Sequence, residues 1–380
     1  SNHLVSDKIE TYIGCVASRD FAELDHLPNL RYLEATCVAR HGFAVGAVAP
    51  RVATLRHLEC IRPSEDPFTL DATRTVLALA PPMATLPQLT AVVCDDHELT
   101  ESMLSAELPN VRAIKMTRLE WPLPGLQLFR GLASLRTLEL RDITNIVRAP
   151  GALASLESAP LLERLLIAGC HGLRTISVDP AKLPRLAEVT IDAAEELQLE
   201  ASTWDFLANL EGLRSLTFRS SPPVIHAARK PFFDNVAAAG RLRKVSCRSN
   251  TYLDETPSPD TTDNDMMCVF KNLSGIRELR LDGCNRLSGT CMAALPPSGK
   301  AGLEDFQLGA SGTRSRSALV PTLVDELASG KFVSLAFLLL PKTLNPVRTK
   351  PVGVILKQLS PACPRLRAAD IYDGSPSPEE

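Results

Sequence analysis

Apolar residues recur along this chain in one fixed frame: a first, a second three positions later, and a third two positions beyond that. Leu135, Leu138 and Leu140 show it most plainly. Counting the first apolar residue as position 0, the frame returns at Leu30/Leu33/Ala35, Leu55/Leu58/Cys60, Leu89/Val92/Cys94 and Val111/Ile114/Met116. It continues at Leu162/Leu165/Ile167, Leu186/Val189/Ile191, Leu213/Leu216/Phe218 and Leu242/Val245/Cys247. The last copies are Ile276/Leu279/Leu281, Leu303/Phe306/Leu308, Leu335/Leu338/Leu340 and Leu366/Ala369/Ile371. Positions 3 and 5 share one face of a short strand, because strand side chains alternate with period two. Position 0 enters the same core from the turn before. Several copies add an apolar residue three positions earlier: Leu27, Leu132, Leu183, Leu210 and Phe332.

The segments between strands carry helical signals. Helical apolar spacing and end signals predict helices over 68–79, which ends at Pro81-Pro82, 203–210, which begins at Thr203 as N-cap, 317–329, which stops at Gly330, and 352–359, which stops before Pro361. Segments 100–107, 126–134, 151–158, 264–273 and 288–295 are weaker copies of the same pattern. A strand followed by a helix, repeated at intervals of about 22–34 residues, buries its apolar side only against its neighbours.

This frame resembles the leucine-rich repeat superfamily over nearly the whole chain. The resemblance implies an α/β solenoid, a curved horseshoe with parallel strands on the concave face and helices and loops on the convex face. It divides the chain into an N-terminal cap or partial repeat (1–26), an array of about 13 repeats (27–374) and a short disordered tail (375–380). Two copies, Leu162 to Leu173 through Cys170 and Ile276 to Leu287 through Cys284, match LxxLxLxxCxxL. They resemble the cysteine-containing repeats of F-box ubiquitin-ligase receptors and some plant immune receptors. The other repeats depart from that pattern, with Val38, Pro63, His97, Leu119 and Ile143 among the residues at the cysteine position.

Composition narrows the class. Apolar residues make up 45% and charged residues 22%, as in ordinary soluble domains, and aromatics only 5%, so the core is aliphatic. A net charge of −3 offers no global field for nucleic acid. No apolar stretch approaches membrane-spanning length, and the first twenty residues interrupt every apolar patch with charge, unlike a secretory signal. The ten cysteines are scattered through apolar contexts without a CxxC pair, which predicts reduced, buried thiols and a cytoplasmic location. One sequon, Asn272-Leu273-Ser274, stands against that reading and is close to chance frequency.

Catalytic candidates are few. Cys94-Asp95-Asp96-His97 has a thiol near a base, but Cys94 holds core position 5 and two aspartates follow it, the opposite of the electropositive, accessible setting a nucleophilic thiol needs. The seven histidines show no ligand spacing for a metal. Ser298-Gly299-Lys300 lacks the first glycine and the final Ser/Thr of a phosphate loop. The sequence therefore predicts no catalytic residue, no metal and no cofactor.

What remains is the strand surface. Position 1 is arginine in eight repeats: Arg31, Arg56, Arg112, Arg136, Arg214, Arg243, Arg277 and Arg367. Repeats eight to ten add Arg219, Lys244, Arg248 and Arg280, and repeats four and five add Lys115 and Arg141. Such a column also serves as solvated cover, with arginine stems lying over apolar strand edges. As a site, Arg214, Arg219, Arg243, Lys244, Arg248, Arg277 and Arg280 form a partner-binding patch for acidic or phosphorylated protein segments. Glu278 and Asp282 partly offset it. Nucleic acid is disfavoured, since Tyr32, Phe337 and Tyr372 are the only aromatics at surface positions. An acidic insertion over 250–265 carries Thr256-Pro257 and Ser258-Pro259, and the tail carries Ser375-Pro376 and Ser377-Pro378, all suited to proline-directed kinases.

The function expected from this pattern is non-catalytic protein–protein recognition. Three alternatives stay open: the substrate-recognition part of an F-box-type ubiquitin ligase, the repeat region of an immune receptor or pathogen effector, and a phosphate-ligand or RNA binder using the arginine patch.

Overall fold

The computed structural model describes residues 9–17, 27–38, 47–48, 57–61, 75–78, 90–95, 97–99, 109–118, 131–144, 153–170, 173, 176, 178–192, 201–219, 230–248, 262–282, 289–309, 321–341 and 357–372. The chain divides into two compact units, Ser1–Leu186 and Ala187–Glu380. The first contains β1 (Thr11–Ala17), β2 (Tyr32–Val38), β3 (Ala47–Val48), β4 (His57–Ile61), β5 (Thr75–Ala78), β6 (Ala91–Asp95), β7 (His97–Leu99), β8 (Ala113–Thr117), β9 (Thr137–Arg141) and β10 (Arg164–Ala168). Strands β1, β2, β4, β6, β8, β9 and β10 pair in that order, all parallel. The second unit contains β11 (Glu188–Asp192), β12 (Ser215–Arg219), β13 (Lys244–Arg248), β14 (Glu278–Asp282), β15 (Asp305–Gly309), β16 (Phe337–Pro341) and β17 (Ala368–Tyr372), again parallel and in chain order.

Register follows the apolar frame. In the second unit Val189, Leu216, Val245, Leu279, Phe306 and Leu338 stand level on successive strands. In the first, Ile114, Leu138 and Leu165 do the same. All of these are buried. Each such side chain contributes about 1.5–3 kcal/mol relative to exposure, and none of it accrues until a neighbouring repeat is in place.

The residue three before the frame has a backbone role as well as a packing one. The N–H of Leu135 donates to the carbonyl of Leu132, Leu186 to Leu183, Leu213 to Leu210, and Leu335 to Phe332. This turn carries the chain into each strand with two apolar side chains aimed at one core. At the other end of the strands, Arg118, Asp142 and Gly169 adopt left-handed backbone at φ 54°, 52° and 55°. The Asp142 N–H donates to the Ala168 carbonyl at 2.8 Å. A β-carbon at Gly169 would overlap the Asp142 carboxylate, so glycine is needed there.

Strand pairing begins before the first sequence copy. β1 lies in register with β2, Thr11 opposite Tyr32 and Ala17 opposite Val38. Its frame is Ile9/Tyr12/Gly14, which lacks the aliphatic signature, and Glu10 holds position 1, 3.8 Å from Arg31.

The return segments in the second unit are α1 (Ala201–Asn209), α2 (Lys230–Asp234), α3 (Val236–Arg241), α4 (Asp263–Phe270), α5 (Pro297–Gly302) and α6 (Pro321–Leu327). Short 3-10 turns cover Ala154–Ser158, Pro180–Lys182 and Thr290–Ala294. α1, α4 and α6 fall where helices were expected. Thr203 is not an N-cap: it lies inside α1 and is fully buried. The helix expected over 68–79 is corrected in its second half. Residues 75–78 form β5, which pairs in parallel with β3 and β7 as a second, smaller sheet. Its run Thr-Val-Leu-Ala has no periodicity that separates strand from helix. The helices expected over 100–107 and 126–134 lie wholly or mostly outside the described residues.

Among the described residues, no helix is long and apolar enough to cross a membrane.

Candidate functional site: the outer sheet face of the second unit

One face of each parallel sheet packs on the leucine core, and the strand positions between the leucines lie on the other. In the second unit those positions read Glu188 and Thr190, Ser215 and Thr217, Lys244 and Ser246, Glu278 and Arg280, then Asp305 and Gln307 on successive strands. Of these only Ser246 is buried.

The seven predicted cations come together here in two ways. Arg214, Arg243 and Arg277 stand one above another just before β12, β13 and β14. The Arg243 N–H donates to the Arg214 carbonyl at 2.7 Å and the Arg277 N–H to the Arg243 carbonyl at 2.8 Å. Their side chains are exposed but not idle. Arg214 Nη1 donates to the carbonyls of Glu211 and Leu213 at 2.8 and 2.9 Å. Arg243 Nη1 donates to the Gly275 carbonyl at 2.6 Å. Arg277 Nη1 lies 3.2 Å from the Glu304 carboxylate. The same device recurs in the first unit, where Arg136 reaches Glu163 at 3.0 Å. The column thus ties each turn to itself or to the next repeat.

Lys244 and Arg280 enter a charge chain. Lys244 Nζ lies 2.8 Å and Arg280 Nε 2.6 Å from Glu278 Oε1. Arg280 Nη2 reaches Asp305 Oδ2 at 3.3 Å, and Gln307 Nε2 donates to both Asp305 oxygens at 3.1 Å. This belt across β13, β14 and β15 alternates in sign and neutralises itself. Because its members are only half-buried, each pair is worth about 0–1 kcal/mol; the effect is to fix side-chain positions.

Arg219 and Arg248 differ in placement. They stand opposite each other at the ends of β12 and β13, with Asp192 in register on β11 and Asp282 in register on β14. Two adjacent cationic positions are thus bracketed by acidic ones, with Ser215, Thr217 and Ser246 on the same two strands.

The remaining candidates disperse. Cys94 lies on β6 and His97 on β7, strands of different sheets. Lys300 lies in α5, buried, with Nζ 3.0 Å from the Ala293 carbonyl and 2.6 Å from Glu326 Oε1. That occupies the ammonium a phosphate loop would use. Among the described residues no group of three or more His, Cys, Asp or Glu could hold a metal. In the acidic insertion, 250–261 lies outside the described residues, and Asp263 is a brace, its Oδ1 accepting the N–H groups of Gly289 and Cys291 at 3.0 Å. The tail serines also lie outside.

The five cysteines whose side chains are described are free thiols. Cys170, Cys247, Cys291 and Cys363 are buried, whereas Cys268 is exposed on α4 and departs from the expected buried setting. Cys170 Sγ donates to the carbonyls of Leu140 and Ala168, and burial pushes its pKa up to about 12. The Asn272 amide of the sequon donates to the Phe233 carbonyl at 2.8 Å.

β16 breaks the polar pattern, which the leucine frame did not single out. Phe337 and Leu339 are partly buried on either side of fully buried Leu338, level with Asp305 and Gln307.

The chain matches no protein-family model and no curated protein.

Proposed function

We propose that this chain is a leucine-rich-repeat protein that recognises another protein through the concave side of its sheets and carries out no chemistry itself. One observation supports the reading above the others. Wholly parallel sheets are ordinarily covered on both faces and read as apolar on both. Here the outer face of the second unit's sheet alternates Glu, Ser, Lys, Thr, Arg, Asp and Gln in register across β11 to β15. A face built to stay polar, on side chains held by an ion-pair belt, suits reversible contact with another macromolecule.

Within that face the arginine column stabilises turns, and Lys244 and Arg280 brace the belt. We assign to Arg219 and Arg248, in register at the ends of β12 and β13, the contact with an acidic or phosphorylated segment of the partner. The free thiols and the engaged sequon asparagine support a reducing compartment.

Affinity capture from native extract tests this, with Arg219→Glu/Arg248→Glu beside the parent. Partner retention should be abolished while circular dichroism and the melting transition stay unchanged, and retention should weaken with added salt. Retention at parental levels by the folded double variant would remove the outer face from consideration.

A further inference from the structure

The topology of the first unit sets one pair of cysteines side by side. Cys60 lies on β4 and Cys94 on β6, and the register of these neighbouring parallel strands places the two residues directly opposite each other. Both hold position 5 of the apolar frame, so they share one face of the sheet. In the three repeats that follow, position 5 is buried, at Met116, Leu140 and Ile167. Among the described strand pairs no other two cysteines are so placed. Cys15 stands opposite Thr36, Cys37 opposite Val16, and Cys247 between Phe218 and Leu281.

Spacing and chemistry agree on what this pair can do. Neighbouring strands are ~4.8 Å apart, inside the range of about 4.4–6.8 Å between α-carbons that a disulfide spans. A thiolate is disfavoured in an apolar setting, as at Cys170, whose pKa burial pushes up to about 12. A disulfide carries no charge and suits the same setting. We propose that Cys60 and Cys94 are a redox pair, reduced at rest and joined by a disulfide in the presence of oxidised glutathione. The thiolate of one cysteine attacks a sulfur of oxidised glutathione, which forms a mixed disulfide and expels one glutathione thiolate. The thiolate of the other cysteine attacks the protein sulfur of that mixed disulfide and expels the second. The protein thiols are oxidised, their protons pass to the departing thiolates, and the oxidant leaves as two molecules of reduced glutathione. The bond ties the second repeat to the third and closes the loop of chain that carries β5 of the smaller sheet. Each repeat is stabilised by its neighbours, so a covalent clamp between two of them makes the unfolding of the first unit depend on redox state. Closure needs a thiolate, so it quickens as pH rises.

The experiment treats the folded chain with oxidised glutathione under native conditions, quenches with acid and maps peptides without reduction. The expected product is one linked pair of peptides, carrying Cys60 and Cys94 with two hydrogens lost, which dithiothreitol separates. Glutathione on the exposed Cys268 in the same sample verifies that the oxidant was active. Cys60→Ala should stop at the mixed disulfide, with glutathione left on Cys94. In urea the oxidised parent should unfold at a higher midpoint than the reduced parent, and Cys60→Ala/Cys94→Ala should show no such difference. Four results overturn the proposal: glutathione on both thiols of the parent with no bond between them, either thiol linked to a third cysteine, neither thiol changed while Cys268 is modified, or a bond that forms only once denaturant is added.

Discussion

The guanidinium of Arg243 lies over Gly275, its Nη1 donating to the Gly275 carbonyl at 2.6 Å, and a β-carbon on Gly275 would overlap that same nitrogen. The Gly240 carbonyl closes the other side, 2.5 Å from where the β-carbon would sit. A position-1 arginine therefore presses onto the turn of the next repeat, and the Gly240 carbonyl, which is backbone and cannot swing aside, is what requires glycine there.

Gly275→Ala should accordingly destabilise the chain by about 1–3 kcal/mol, the range for overpacking against backbone that cannot move away. Arg243→Ala should cost about 1 kcal/mol or less, since the bond is solvent-exposed. In the double variant the clash with Gly240 remains, so most of the glycine's cost should persist. Urea unfolding midpoints of the three variants test this; full rescue by Arg243→Ala would place the strain on the side chain alone.

The leucine frame was legible because its period is set by geometry: positions 0, 3 and 5 are the ones that reach the core, whatever the partner. β1 escaped it because Tyr12 and Gly14 hold positions 3 and 5. β5 escaped it because a four-residue apolar run carries no period. The clustering of cations was legible, but their use was not. Glu278 pairs with both Lys244 and Arg280, and Asp305 completes the charge balance, because strand register and length place them within reach. Nothing in the local sequence distinguishes such an acid from a solvated one. Lys300 shows the same limit. It sits three residues before Leu303, a position that is apolar in other repeats, and its partner Glu326 comes from the following repeat.

That buried pair yields a second prediction. Lys300 is 6% exposed and Glu326 Oε1 lies 2.6 Å from its ammonium. Glu326→Gln leaves an ammonium in the core without its counter-charge, held by the Ala293 carbonyl, and should cost about 3–5 kcal/mol. Lys300→Met with Glu326→Leu removes both charges and restores apolar contact, and should recover most of that loss. Thermal melts of the single and double variants test it. A double variant no more stable than Glu326→Gln would show that the pair is needed for packing geometry rather than for charge balance.

The thiols give a third. Cys268 is exposed on α4, whereas Cys170, Cys247, Cys291 and Cys363 are buried. Iodoacetamide on the native chain should label Cys268 ahead of these four, with denaturant needed to label them at comparable rates. Peptide mapping after timed alkylation reads the order directly. Labelling of Cys170 at the rate of Cys268 would mean that the repeat around β10 opens far more readily than its packing allows.

The last prediction concerns Cys170 and pH. Burial raises its pKa from 9.0 to about 12, against the lowering effect of hydrogen bonds at the Ile143 and Ala168 backbone and with a small further rise from the Asp142 charge. The folded thiol keeps its proton where the unfolded one has lost it. Between pH 9 and about 12 the folded state therefore binds more protons than the unfolded state, and stability falls as pH rises through that window. Below pH 9 this contribution is fully present and flat. Its total size is on the order of a few kcal/mol. Cys170→Ala gives up the two Sγ–H contacts to the Leu140 and Ala168 carbonyls and should be less stable than the parent at neutral pH, by about 1–2 kcal/mol. Above pH 9 the gap between variant and parent should narrow, because only the parent carries the thiol that must stay neutral. Unfolding free energies measured at neutral pH and again in the alkaline window decide it. Parallel curves would mean that the thiolate is accommodated in the fold, and that water or backbone donors reach Cys170 beside β10.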